Sequence, residues 1–351
     1  MRLPGISTDR LVPDPQLLMS LRSDDLERFR AVPRTVMINQ WQPDLDWLIV
    51  DRTYPVQMQR RLQLLNSRLP MVIDRLPGEA VQQAETELRD TVIDYLLSTY
   101  PDYFRRDGNL VDCLLTGISV DTGKNGADPL VAVALLASED MLLLLPQPRA
   151  ASDTPSYVLQ SGALLFPNDW SLRSHFNVPQ PADGPEQLRA WQEARQRSER
   201  AARLGKTPYD IHDGHVAHYI EHFAARVDLF FHKMEPGMRT WRRNWGPRIT
   251  DELFLHSDAL PATLPAMTPD NWAHSGYLRS EHECFVKLPR SGAVIFTIKT
   301  FLWKLSELVQ NPVALQALLT ASDNLTPGMF AYRAESLPSF RQFLERYRTA
   351  I

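Results

Sequence analysis

The sequence predicts an α+β fold, a five-stranded antiparallel sheet with helices packed on one face, preceded by a helical N-terminal region. Two observations carry this expectation. Over the first hundred or so residues apolar side chains recur at helical spacing, whereas after Asp140 the chain turns to short apolar runs bounded by turn-forming residues. Those runs, with one strong amphipathic helix among them, follow the order strand, strand, helical crossover, strand, strand, strand.

Within the helical region, Trp47 to Leu69 and Glu79 to Leu97 are the clearest segments, the second carrying Leu88, Val92, Tyr95 and Leu96 and closed by Pro101. Asp128-Pro129 supplies an N-cap and a first-turn proline for a helix reaching about Glu139. The intervening Asp121-Thr122-Gly123-Lys124-Asn125-Gly126 has the composition of a phosphate loop. Its spacing from Gly117 is one residue too long and neither Ser nor Thr follows Lys124, which excludes a Walker site; there is no Gly-x-Gly-x-x-Gly either. Met141 to Leu145 reads as a buried strand and Tyr157 to Phe166 as its hairpin partner, ending at Pro167. A loop and polar helix follow from Trp170 to Lys206, with an inserted polar segment near residues 178–202 opened by Pro179, Pro181 and Pro185. Three further strands are expected at Arg239 to Trp245, Leu278 to Leu288 and Ala293 to Trp303. The organisation is thus a helical region over 1–110, a sheet-containing domain over 111–305 and a helical C-terminal extension over 306–351. The strand order suits a PAS-like domain, one of several mixed folds compatible with it.

Composition narrows the function. The 351 residues are 44% hydrophobic and 23% charged, enough to bury a sizeable core. A formal net charge of −4, with no Lys/Arg block carrying interleaved aromatics, gives no case for nucleic acid; the arginines from Arg195 to Arg203 are offset by Glu193 and Glu199. Only Cys113 and Cys284 are present, which excludes a disulfide framework and a four-thiolate iron–sulfur cluster. The N-terminus lacks the apolar core of a secretory signal, and Leu130 to Leu145 is interrupted by Ser138-Glu139-Asp140, short of the roughly 20 apolar residues that span a bilayer. A cytoplasmic protein without membrane partners is expected.

Chemistry concentrates between Ile211 and Trp245, where five of the nine histidines lie. With Asp213 as N-cap, Val216, Ile220, Phe223, Val227, Phe230 and Phe231 mark the buried side of a helix ending near Glu235-Pro236-Gly237. His215, His218 and His222 share one side of it, next to Glu221 and Arg226, as on a solvated surface; a protein-only metal site would need orienting carboxylates that are not identifiable. His212 differs, standing at an element boundary beside Ile211, where an imidazole can turn into a pocket. On the strands, alternation sets Arg279, Glu281 and Glu283 on one face and Ser280, His282 and Cys284 on the other, and keeps Arg242 and Asn244 together. Such a charged face is either solvated or lines a polar pocket. Trp241, Trp245 and Trp303 favour the pocket, because aromatics beside carboxylates suit a small organic cation.

Several motifs follow one another as in a known family. Trp47-Leu48-Ile49-Val50-Asp51 with Tyr54 and Arg60-Arg61-Leu62, Tyr100-Pro101, Ser138-Glu139-Asp140, Phe166-Pro167-Asn168-Asp169-Trp170, Ile211-His212, Arg242-Arg243-Asn244-Trp245, and Arg279 to Thr300 with Leu288-Pro289-Arg290-Ser291-Gly292 are in that order. Over roughly residues 45–305 the chain resembles the haem-binding α subunit of the haem-dependent oxidative N-demethylases, the dimethylamine monooxygenases. The resemblance implies a PAS-type fold holding haem b and an enzymatic role: demethylation of a small secondary amine, with O2, to the primary amine and formaldehyde. Electrons would come from NADPH through FMN and a 2Fe-2S centre on a separate reductase subunit.

It further implies that His212, in the Ile-His motif, is the axial ligand of the haem iron, with Trp245 beside the cofactor. Arg242 and Asn244 match the Arg-x-Asn-Trp motif and Arg279 and Glu281 the Arg-x-Glu pattern; together with Glu283 they would supply donors to dioxygen and a carboxylate for the substrate ammonium. This chain departs from the family pattern at Glu283, where Gln is usual, at Asp213-Gly214-His215-Val216-Ala217 in place of Pro-Val-Pro, and at Lys299-Thr300-Phe301 in place of Arg-Thr-Tyr. The alternative is a haem-binding sensor or a haemless small-ligand module on the same scaffold.

Overall fold

A computed structural model describes residues 3–21, 46–150, 152–182, 184–212, 224–259, 263–325 and 335–348. In chain order its strands are β1 (Ile6–Ser7), β2 (Ile73–Arg75), β3 (Phe104–Asp107), β4 (Leu110–Cys113), β5 (Ile118–Asp121), β6 (Asp140–Arg149), β7 (Ser152–Ala163), β8 (Asn168–Trp170), β9 (Arg239–Arg248), β10 (Leu255–His256), β11 (Tyr277–Lys287) and β12 (Val294–Lys304). The helices are α1 (Pro15–Ser20), α2 (Tyr54–Val72), α3 (Glu79–Thr99), α4 (Pro129–Leu136), α5 (Pro185–Ala201), α6 (Pro208–His212), α7 (Ala224–Lys233), α8 (Pro269–Ser275), α9 (Leu305–Leu308), α10 (Pro312–Asp323) and α11 (Leu337–Glu345). No helix among the described residues is long and apolar enough to cross a membrane.

The α+β class stands, with two corrections. The main sheet has six strands in the order β2-β7-β6-β12-β11-β9, not five, and every neighbouring pair is antiparallel. The five long strands are those expected from the sequence. The addition is β2, three residues that leave α2 directly and pair with the end of β7; so short a segment carries no periodicity of its own. A second sheet, β1-β5-β4-β3, lies in the N-terminal region and includes strands on both sides of residue 110.

The second correction is that helices cover both faces of the main sheet. The run Met141 to Leu145 shows why. Met141, Leu143 and Leu145 pack on the back with Cys284, Val286 and Ile295 against α2, α3 and α4, through Leu64, Leu88, Val92 and Leu130. Leu144 turns to the front, with Phe285 and Val294, against Val227 and Phe231 of α7 and Met234 just after it. Leu142 does the same beside Leu159, Ile298 and Ile211. A strand buried on both faces has no polar alternation, and the unbroken apolar run follows from that.

Helix α2 starts at Tyr54 instead of Trp47, because Asp51 ties down the preceding turn: its Oδ1 accepts from the Thr53 amide at 2.9 Å and its carbonyl from the Tyr54 amide at 3.0 Å. At the far end Arg68 leaves helical geometry (φ −138°, ψ 29°), two residues before Pro70. The expected N-cap of α4 is present, Asp128 accepting from the amides of Leu130 and Val131 at 2.9 and 3.3 Å. The glycine-rich stretch before it is a tight turn. A Cβ at Gly126 would lie 2.2 Å from the Asp121 carbonyl oxygen, so close backbone approach accounts for the glycine.

The start of the sheet is fixed by Arg61, which is fully buried. Its guanidinium donates to the carbonyls of Ala134, Ser138 and Glu139 and to Asp140 Oδ1, at 2.9, 3.3, 2.8 and 2.9 Å. The Asp140 carboxylate in turn accepts from the amides of Leu165 and Phe166 at 2.8 and 2.9 Å. Removing one partner of such a pair strands the other charge. Arg61→Met is expected to cost at least about 3 kcal/mol of unfolding free energy, measured by urea denaturation; a loss under about 1 kcal/mol would place the pair in an effectively solvated setting.

Candidate functional site

The front face of the sheet divides into two halves. Its β7-β6-β12 half is apolar, formed by Leu142, Leu144, Leu159, Phe296 and Ile298. Its β11-β9 half is ionic. Pairing places Glu281 opposite Asn244 and Glu283 opposite Arg242, so the two groups expected from alternation, Arg279 with Glu281 and Glu283 and Arg242 with Asn244, come to one side. The face is not solvated: Arg279, Glu281 and Glu283 are 2%, 7% and 3% exposed.

Burying these charges requires partners, and they have them. Arg279 Nε donates to Glu281 Oε1 at 2.9 Å, while its terminal nitrogens reach the carbonyls of Phe166 and Leu253 at 2.6 and 3.3 Å and Thr300 Oγ1 at 3.1 Å. Asn244 Nδ2 donates to the second oxygen of Glu281 at 2.9 Å. Arg242 Nε pairs with Glu283. Burial alone would raise the pKa of Glu281, but the charge and hydrogen bond of Arg279, the Asn244 amide and the charge of Arg248 together hold it below the ordinary carboxylate value. Glu283 goes the other way. Burial pushes it up to about 6, with the negative charge of Glu281 adding to the rise and Arg242 only partly opposing it. The site therefore pairs a firmly ionised carboxylate with one that exchanges a proton near neutrality.

The three tryptophans expected around this pocket are on the back of the sheet. Trp241, Trp245 and Trp303 pair with Cys284, Ser280 and Leu278, the residues whose side chains alternate away from the glutamates. Trp245 packs with Trp272, Leu278 and Leu305 near the C-terminal helices, and Trp241 lies 5.8 Å, ring to ring, from His282. Adjacent strand residues face opposite ways, so Trp245 cannot share a face with Asn244. His212 is the last residue of α6, directly after Ile211, which packs on the apolar half of the front face. Its side chain lies outside what is described, as do residues 213–223 with His215, His218 and His222. Among the described residues no cluster of three or more His, Cys, Asp or Glu is arranged to hold a metal ion.

Two residues of this neighbourhood were given no role in the site from the sequence. Thr300 supplies the hydroxyl that Arg279 contacts, and Gln57 Nε2 donates to the Thr300 carbonyl at 2.9 Å. Gln57 and Thr300 are 243 residues apart, so no local pattern links them.

The fold and site define an α+β protein that keeps a buried, ordered set of acids and guanidinium groups on an otherwise apolar sheet face covered by helix. A family model, haem-dependent oxidative N-demethylase, alpha subunit-like, matches residues 38–181 and 199–337. These segments cover most of the chain, and the chain belongs to that family. The match contains every residue of the ionic cluster and omits 182–198, most of helix α5, within the segment read from sequence as an insertion.

Glu283 gives the site a pH signature. Its folded pKa of about 6 stands above the ordinary 4.5, so the stability it contributes is complete below about pH 4.5 and is lost as pH rises through 6. Unfolding free energies of the wild type and Glu283→Gln, measured from pH 4 to 8, are expected to diverge by up to about 2 kcal/mol between these limits and to run parallel above them. A constant difference throughout would mean that Glu283 titrates as in water.

Proposed function

We propose that this chain is the haem b-binding component of a monooxygenase that removes a methyl group from a small secondary amine, dimethylamine being the simplest case. Family membership implies haem dependence and oxidative N-demethylation as the class of activity. The observation that carries the substrate assignment is Glu281, an ionised carboxylate oriented by Arg279 and Asn244 and buried beside the apolar half of the sheet face. A small ammonium group loses its hydration on entering such a place, and a pre-oriented carboxylate replaces it. Glu283, with its raised pKa, is suited to passing a proton near neutral pH.

Two features support a haem here: an apolar half of the front face, on part of which Val227 and Phe231 of α7 already pack, and Ile211 packed on that half directly before His212. In this reading His212 would hold the haem iron, and Arg242, Asn244, Arg279, Glu281 and Glu283 would bind and orient the substrate. Trp245, packed on the back, takes no part. The haem, when bound, supplies the centre that activates dioxygen. No dinucleotide fingerprint and only two cysteines are present in the sequence, so electrons come from a partner subunit, with NADPH, FMN and a 2Fe-2S centre as the proposed chain. The uninterrupted antiparallel run of five long strands, with a helical crossover, supports a PAS-like domain within the proposed limits 111–305, flanked by the N-terminal region and a C-terminal extension; a cytoplasmic location is part of the same proposal.

The test is an absorption spectrum of protein produced with a haem precursor and titrated with dimethylamine. A Soret band that shifts saturably with amine is expected, and a protein that takes up no haemin would overturn the reading. His212→Ala should stay folded by circular dichroism yet lose the haem; full occupancy with an unchanged spectrum would remove His212 as ligand. Glu281→Gln should retain haem and weaken the amine-induced shift by about tenfold or more, since a charge-assisted contact is worth about 1.5–3 kcal/mol. Unchanged amine affinity would exclude Glu281 from the amine site.

A further inference from the structure

We infer that Gln57 and Lys299, on the back of the main sheet, are positioning residues for the Arg279–Glu281 pair on its front. The role as amine-site positioners rests on the function proposed above. The reason begins with the length of β12. Its pairing with β6 ends where Ile298 meets Asp140, and β12 runs on to Lys304. Thr300 therefore lies beyond the last β6 partner. Gln57 of α2 takes that place, donating through Nε2 to the Thr300 carbonyl at 2.9 Å. The same threonine presents its hydroxyl to Arg279 at 3.1 Å, and Arg279 holds Glu281 at 2.9 Å.

A glutamine amide fits its space in either of two orientations, and only one offers NH2 to the Thr300 carbonyl. Lys299 selects it, because its ammonium donates to Gln57 Oε1 at 2.9 Å and excludes an NH2 group from that position. Lys299 is fully buried and anchored in turn, donating to Ser138 Oγ at 2.7 Å and lying 3.6 Å from Asp51 Oδ1. Consecutive residues of β12 point to opposite faces, so Lys299 points away from the front pair. Its influence passes through Gln57 and Thr300. These contacts would serve equally to seal the open edge of β12, and that purely structural role predicts lower stability with no change at Glu281.

The experiment compares wild type, Gln57→Leu, Lys299→Met and Lys299→Arg, all as holoprotein. The carboxyl carbons of isotopically labelled glutamates are followed by NMR between pH 3 and 8, with Glu281→Gln to assign the signal, and thermal stability is recorded in parallel. Gln57→Leu and Lys299→Met are expected to raise the titration midpoint of Glu281 by about one pH unit, a tenfold change in its proton affinity. Lys299→Arg, which keeps the charge and the donors, is expected to restore it. Variants that melt lower while the Glu281 titration stays at the wild-type value would overturn the proposal and leave the two residues as edge seals. If Lys299→Met unfolds, Gln57→Leu decides, since it removes no charge. Dimethylamine titration of the wild type keeps the two ideas apart: absence of amine binding removes the amine reading, whereas the carboxylate titration alone decides whether Gln57 and Lys299 act on Glu281.

Discussion

The constraint on which the rest depends is the buried ion pair between Arg61 and Asp140. One guanidinium collects the carbonyls at the end of α4 and the turn after it, and one carboxylate collects the amides that follow β7. Through this pair α2, α4, the first residue of β6 and the Leu165-Phe166 turn are fixed to one another. The position of the Phe166 carbonyl matters directly, because Arg279 uses it as an acceptor. Charge burial at the start of the sheet and charge burial at the candidate site thus meet in one short turn.

Burying charge in both places is tolerable because each group has specified partners. Isolated, Glu281 would be pushed towards its neutral form, as Glu283 is. Arg279 and Asn244 occupy both of its oxygens and reverse that tendency. The two glutamates lie two residues apart on one strand yet have opposite acid–base character, and the number of donors each receives explains the difference.

Much of this was legible in the sequence. The five long strands follow from their apolar runs, and the grouping of Arg279 with Glu281 and Glu283, and of Arg242 with Asn244, follows from alternation; that the two groups share a face depends on the register between β9 and β11. Alternation also separates Trp245 from Asn244; the attraction of aromatics beside carboxylates outweighed it. Strand β2 left no periodic trace in three residues. Coverage of both faces was hinted at by the unbroken run from Met141 to Leu145, but which helices supply it depends on packing between distant segments. Gln57, Lys299 and Thr300 were invisible as a group for that reason, although Lys299 stands out as a departure from the family pattern.

Strand β9 bounds the sheet on the side of the candidate site, and it carries Arg239, Arg242, Arg243, Arg248 and Pro247 within ten residues. At the opposite edge β2 is only three residues long. An unpaired edge is a template on which another chain can add a strand, and closely spaced positive charges, a proline and brevity each discourage this. Pro247 within β9 and the brevity of β2 therefore help to keep neighbouring molecules from joining their sheets, a consequence for solubility at high concentration that is separate from the site's chemistry.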